Sequence, residues 1–304
     1  MRVEANWLQC LRELDAVFEQ AEVAFCEGRQ AVYMTALDAH TESIGVIGDP
    51  WRAALWQCWE GFLRVVTQGY PEHAMAYCHK ALALAEGKDL SYLRAFAECC
   101  AAQIHLIAGD LLAGQLAGIR ALVTFEIRGN IPWACRALWL LSALTNAMER
   151  WEDSLAYCRR ALAHAQEGAH ARLTVVSTWR IGSTLILSGH PAEGILWCEA
   201  ALTHSPAPLD RMTIEAVRGN GLIRCGHLDE GITQLEAATA WFKERLLWHD
   251  YSVFGLHLGE GYVQRGKRVF AKTLFEEIVR VSYDRGYGRL EKKAKKSLDA
   301  IEKE

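Results

Sequence analysis

Trp139 and Trp179 stand forty residues apart, and Trp59 stands eighty before Trp139. The position that would complete the series is Cys99. Four residues beyond these come Leu63, Gln103, Ala143 and Ser183, and the series continues at Asn220 and Glu260. Asn146 and Arg224 lie one helical turn further, and Arg136 lies three residues before Trp139. If these segments are helical, residues four apart share a face. The chemistry is then recognition: Asn and Gln amides can satisfy an extended peptide's backbone, while indole faces accept apolar side chains or cations. Anchors of this kind are enriched in binding hot spots. A second reading is that tryptophans at equivalent positions fill the packing between structural units. The residues alone leave both open. Trp56, Trp133 and Trp151 read as structural. Arg218 has Glu215 three residues away as a partner, the alternative being an anion site shared with Arg224.

Motifs for bond-making chemistry are missing. The chain has no G-x-x-x-x-G-K-[ST] and no H-E-x-x-H, and no G-x-S-x-G on a strand-to-helix elbow. Its eleven histidines are scattered; His190 and His227 each follow a glycine, and His164 and His170 flank one as a weak metal pair or as solvent-facing side chains. None of the ten cysteines forms a C-x-x-C pair. Cys78, Cys158 and Cys198 recur at one place of a repeated phrase, too far apart in a stack for disulfides, and read as reduced thiols in a cytoplasmic protein. No cofactor and no metal is expected. A net charge of −4 argues against nucleic acid as the main partner. Acids among the apolar N-terminal residues argue against a signal peptide, and no apolar run approaches the ~18 residues of a membrane span.

The elements that must position these residues are repeated. "YCHKALALA" begins at Tyr77, "YCRRALAHA" at Tyr157 and "WCEAALTHS" at Trp197. Ala81, Ala121, Ala161 and Ala201 are forty apart; the phase shortens by three to Ala238 and resumes at Ile278. A turn residue precedes each phrase: Gly69, Gly109, Glu149, Gly189, Gly226 and Gly266, with Gly28 marking an irregular first copy. Apolar residues recur at helical spacing on both sides of each turn, as in Ala74, Tyr77, Cys78, Ala81 and Leu82. A turn between antiparallel helices favours glycine because it tolerates positive φ. One such pair cannot bury its own apolar face, so the copies must stack.

The last copy, "LGEGYVQRGKRVFAKTLF", resembles the tetratricopeptide pattern through Leu258, Gly259, Tyr262, Ala271 and Phe275. Gly182 and Gly219 sit seven residues before their turn glycines, as Gly259 does. The period here exceeds the usual ~34, and in that respect the chain is similar to the tetratricopeptide-like region of MalT-type regulators. Their ATPase and DNA-binding modules have no counterpart among these residues. The resemblance implies an all-α, right-handed superhelical solenoid of about seven antiparallel helix pairs. A single domain over residues 1–304 is expected, with an irregular first repeat at 1–48, regular repeats at 50–288 and a capping helix at 289–304. It also implies that the first helices line a concave groove. The expected function is a non-catalytic scaffold or regulator. It would hold a peptide or protein segment through Trp59, Gln103, Arg136, Trp139, Asn146, Trp179, Ser183, Asn220, Arg224 and Glu260. A small-molecule sensor using the same groove is the alternative, and an enzyme on a helical scaffold the third. Oligomeric state stays open.

Overall fold

The computed structural model describes residues 50–87 and 90–303 and, before them, three isolated positions. The expected irregular first repeat, Gly28 included, lies outside the described residues, as does the side chain of Trp59. Thirteen helices and no strand occur among the described residues. The first helices of the pairs are α1 (Pro50–Thr67), α3 (Ser91–Ala108), α5 (Ile131–Ala147), α7 (Ala171–Leu187), α9 (Pro208–Arg224) and α11 (Trp248–Gln264). Their partners are α2 (Pro71–Ala85), α4 (Leu111–Ile127), α6 (Trp151–Glu167), α8 (Pro191–Leu202), α10 (Leu228–Glu244) and α12 (Arg268–Arg285). A lone α13 (Gly288–Lys303) follows. The described chain is thus six pairs and a terminal helix, an all-α solenoid.

Each turn inside a pair is left-handed, with φ of 92° at Gly69, 98° at Gly109 and 95° at Gly189. Glu149 holds the same conformation at φ 61°, without glycine's freedom. The turns between pairs are left-handed too, at Gly87, Gly129, Ala169, Ser205, Leu246 and Gly286. The sequence does not announce this second set, because half of its members carry side chains.

Small residues set how closely the helices of a pair cross. A Cβ on Gly194 of α8 would lie 2.5 Å from the Gly182 carbonyl oxygen of α7, and one on Gly182 would lie 2.6 Å from the Gly194 oxygen. Gly231 and Gly219 repeat the contact at 2.6 Å. In α5 and α6 the equivalent residues are Ser142 and Ser154, whose hydroxyls lie 2.9 Å apart, and Ser154 Oγ also meets Thr184 Oγ1 at 3.0 Å. Ala81, Ala121, Ala161, Ala201, Ala238 and Ile278 are all fully buried, as are Cys78, Cys158 and Cys198. The repeated phrase is therefore the buried seam of each second helix.

The stack turns back on itself. Helix α11 packs against α1, and α13 packs against α3 as well as α11 and α12. The Tyr70 amide donates to the Arg285 carbonyl at 2.8 Å, Arg285 Nη1 donates to the Gln68 carbonyl at 2.7 Å, and the buried Tyr287 hydroxyl donates to the Val65 carbonyl at 3.4 Å. Gly69 is required twice over here, by its φ and by an Arg285 oxygen that a Cβ would approach to 2.3 Å. Of the apolar stripe on α13, Leu290 and Ala294 are buried and Leu298 and Ile301 are half-buried. What an open array would leave as a groove is thereby closed, among the described residues, by the contacts of α11 with α1 and of α13 with α3.

Candidate functional site

A cavity of about 450 Å³ occupies the centre of this closed turn. Its walls come from the first helices α3, α5, α7, α9 and α11, from the start of α6, and from α13. Of the residues expected to line a groove, Gln103, Arg136, Trp139, Asn146, Trp179, Ser183 and Asn220 all do so. Arg224 and Glu260 do not; Arg224 Nε donates to Asn220 Oδ1 at 3.3 Å, and Glu260 lies 3.3 Å from Nδ1 of His257, which does line the cavity. Trp151, expected to be structural, also forms part of the wall.

Both tryptophans line the cavity and pack into the core. Trp139 is only 8% exposed and its indole Nε1 donates to Ser177 Oγ at 2.9 Å, so much of it is core. Trp179 is half-buried and packs against that core. Arg180, the next residue, lies against both indoles, its guanidinium 4.8 Å from the Trp179 ring centre and 5.7 Å from that of Trp139. Its Nη1 donates to the Trp139 carbonyl at 3.4 Å.

Sequence reasoning passed over most of the ionic residues of the wall. Arg172 and Asp210 form a two-point pair, Nε to Oδ2 at 2.9 Å and Nη2 to Oδ1 at 3.5 Å. Arg136, Glu149, Arg180, Asp250, Arg289 and Lys293 are the other charged side chains of the wall, with His249 among them. Their signal was present: Arg180 interrupts the apolar run "VVSTWRIGS", and Arg172 and Asp210 occupy neighbouring copies 38 residues apart. Burial lowers the Arg180 guanidinium to about 10 and raises the Asp250 carboxyl to about 6, the latter against the pull of Arg180. Burial, with Arg289 adding to it, lowers His249 to about 3 and keeps its ring neutral. At Glu260 burial pushes upward, but the bond to His257 and the charges of Lys293 and Arg224 outweigh it and hold the carboxyl below its usual range.

Five lining residues carry a buried polar atom with no hydrogen-bond partner: Asn146 Oδ1, Trp179 Nε1, Arg180 Nε, His249 Nε2 and Arg289 Nε. Buried polar groups are almost always paired, and each unpaired one costs about 1–3 kcal/mol. All five belong to residues of the cavity wall, but the atoms themselves are shielded from the cavity space.

Other expectations resolve away from the cavity. Arg218 does not use Glu215; its Nε meets Glu199 at 3.2 Å and its Nη1 meets Glu230 at 3.4 Å, from α8 and α10. Nor does it join Arg224 in an anion site, since both its carboxylate partners come from second helices. His164 lies 3.2 Å from Glu126. No group of three His, Cys, Asp or Glu side chains able to hold a metal occurs among the described residues. Eight described cysteines are free thiols, seven of them buried.

No protein-family model matches the sequence, and no curated protein does. Solved structures do match in fold. Aspartyl phosphate phosphatase F from Bacillus subtilis superposes with a TM-score of 0.66 at 13% identity, over 91% of this chain and 72% of that one. A Rap protein complexed with competence and sporulation factor gives 0.65 at 12% identity, over 97% and 87%. The apo form of RapI gives 0.60 at 10%, over 95% and 99%. At such identities the likeness is one of fold, a helical repeat shared with Rap-type proteins.

Proposed function

We propose that this protein is a non-catalytic regulator that captures a short peptide or protein segment in its central cavity. The observation that carries the reading is a cavity of about 450 Å³ whose wall sets the Trp139 and Trp179 indoles beside the amides of Gln103, Asn146 and Asn220. An extended segment matches such a wall: it offers alternating backbone N–H and C=O groups to the amides and guanidinia, and side chains to the indole faces. A fold neighbour has been solved in complex with competence and sporulation factor, which supports a partner-binding role for this chain. The finer likeness to MalT-type regulators draws no support from the Rap-type neighbours, and the proposal does not rest on it. We place the protein in the cytoplasm, where its free thiols stay reduced. No described helix is long and apolar enough to cross a membrane.

A second reading has one observation in its favour: about 450 Å³ lies within the range of small-molecule pockets, roughly 300–1,000 Å³. One experiment separates the two. The tagged protein and its Ser183→Trp variant, which fills the cavity from a half-buried wall position, are incubated with extract of the native cell. Bound material is then read by mass spectrometry for peptides and for small molecules. The proposal expects peptides on the wild type and at least tenfold less on a folded Ser183→Trp. Small molecules alone, displaced by the same substitution, would support the second reading. Equal capture by both proteins would remove the cavity from either account.

A further inference from the structure

The cavity wall is not evenly charged, and the imbalance is concentrated where the chain closes. Five cationic side chains line it, Arg136, Arg172, Arg180, Arg289 and Lys293, against three carboxylates, Glu149, Asp210 and Asp250. The carboxylates are unequally placed. Asp210 is committed to Arg172, and Asp250 stands in the electrostatic neighbourhood of Arg180. Glu149 is exposed at its turn. Arg136 lies over the Trp133 ring at 5.2 Å, and Arg289 and Lys293 stand one helical turn apart on α13, both lining the cavity.

Among the described residues neither Arg289 nor Lys293 has a carboxylate within ion-pair distance, and Arg289 makes no hydrogen bond to any described group. Lys293 feels Glu260 and Glu149 only at longer range, and Glu260 is already engaged by His257. The neighbour of Arg289 on α11 is His249, neutral and itself unpaired at Nε2. Arg289 is half-buried, with its Nε shielded and unpaired, while Lys293 is exposed at the cavity's edge. An arginine kept here, on the one helix that closes the cavity over α3 and α11, is a binding group awaiting an anion. Its planar fork suits a carboxylate at two points, and the lysine one turn on adds a second charge.

We propose that Arg289 and Lys293 form a carboxylate-binding subsite at the closing edge of the cavity, so that the captured segment docks there by its C-terminal carboxylate or by an acidic side chain. The inference rests on the peptide reading above and goes beyond it in fixing the chemistry of one end of the occupant. A terminal carboxylate fits the closure well, since a chain that ends there needs no exit past α13. The cavity then grips its occupant along the indoles and amides of α5, α7 and α9 and holds one end electrostatically at α13.

The test uses four pools of random hexapeptides passed over the immobilised full-length protein: free-acid or C-terminally amidated, each with or without Asp and Glu. The expected result is at least tenfold greater retention of the free-acid pool lacking Asp and Glu than of its amidated counterpart. Retention of the amidated pool containing Asp and Glu at the free-acid level would assign the subsite to acidic side chains, still at Arg289 and Lys293. Either preference must collapse to below threefold in Arg289→Gln and survive in Arg289→Lys. Arg289 is half-buried and holds no ion pair among the described residues, so Arg289→Gln is expected to fold with an undiminished Tm. Equal retention of all four pools by the wild type would overturn the subsite while leaving peptide capture standing. A preference unchanged in Arg289→Gln would also overturn it. No retention from any pool would overturn the peptide reading and the subsite with it.

Discussion

Asp250 shows how a single wall residue can be costly to the fold and still be kept. Burial raises its carboxyl from 3.8 to about 6, despite Arg180 nearby. The folded state therefore holds this proton more tightly than the unfolded chain does. Its favourable contribution is complete below pH ~4 and is lost as pH rises through about 6. Asp250→Asn cannot ionise, so its stability relative to the wild type should rise by about 3 kcal/mol between pH 4 and pH 7, measured by denaturant titration. An unchanged difference across that range would mean the carboxyl is not desolvated as described. Trp139 belongs to the core as well as the wall, so Trp139→Ala should cost about 3–5 kcal/mol of stability. Its thermal midpoint should fall steeply, which makes Ser183→Trp the cleaner probe of binding. At this scale the sequence was half legible. The indoles announced themselves by their forty-residue spacing and the amides by standing within two helical turns of that series, whereas Arg180, Asp250 and Arg289 gain meaning only from burial, which spacing does not report.

The elements were legible almost throughout, because the physics that fixes them is local. Positive φ at the turns, small residues at the crossings and a buried alanine on each second helix all leave marks at the repeat interval. Glu149 fits the turn series by position alone and takes φ 61° without being glycine. The crossing glycines were visible in half: Gly182 and Gly219 drew notice as members of a pattern, but their partners Gly194 and Gly231 did not. The contact makes a concrete demand. Gly194→Ala would set a methyl carbon 2.5 Å from a backbone oxygen of α7, which cannot move without shifting the helix. Overpacking of that kind costs about 1–3 kcal/mol, so the variant should unfold at clearly lower denaturant. A midpoint equal to wild type would show that the two helices separate freely. The inter-pair turns at Ala169, Ser205 and Leu246 were illegible because tertiary packing imposes their left-handed φ on residues that do not prefer it.

At the scale of the molecule, closure is the property that repeat-level reasoning could not supply. Periodicity predicts that copies stack; it does not say after how many a later copy meets an earlier one. Here α11 reaches α1 and α13 reaches α3, and the hydrogen bonds from Tyr70 to Arg285 and from Tyr287 to Val65 span more than two hundred residues. Gly69→Ala should loosen that seam, since its Cβ would collide with Arg285 at a φ of 92°. Hydrogen exchange at the Tyr70 amide, which donates across the seam, should accelerate at least tenfold; an unchanged rate would mean the ends are not joined there. The closed turn is also what converts an aromatic stripe into a walled cavity with Arg289 and Lys293 at its edge. The most direct measurement is therefore a crystal structure of the protein purified with the peptide it retains. The account predicts an extended segment between Trp179, Arg180 and α13, ending in a carboxylate on Arg289. A peptide bound on the outer faces of the second helices, with the cavity empty, would contradict it.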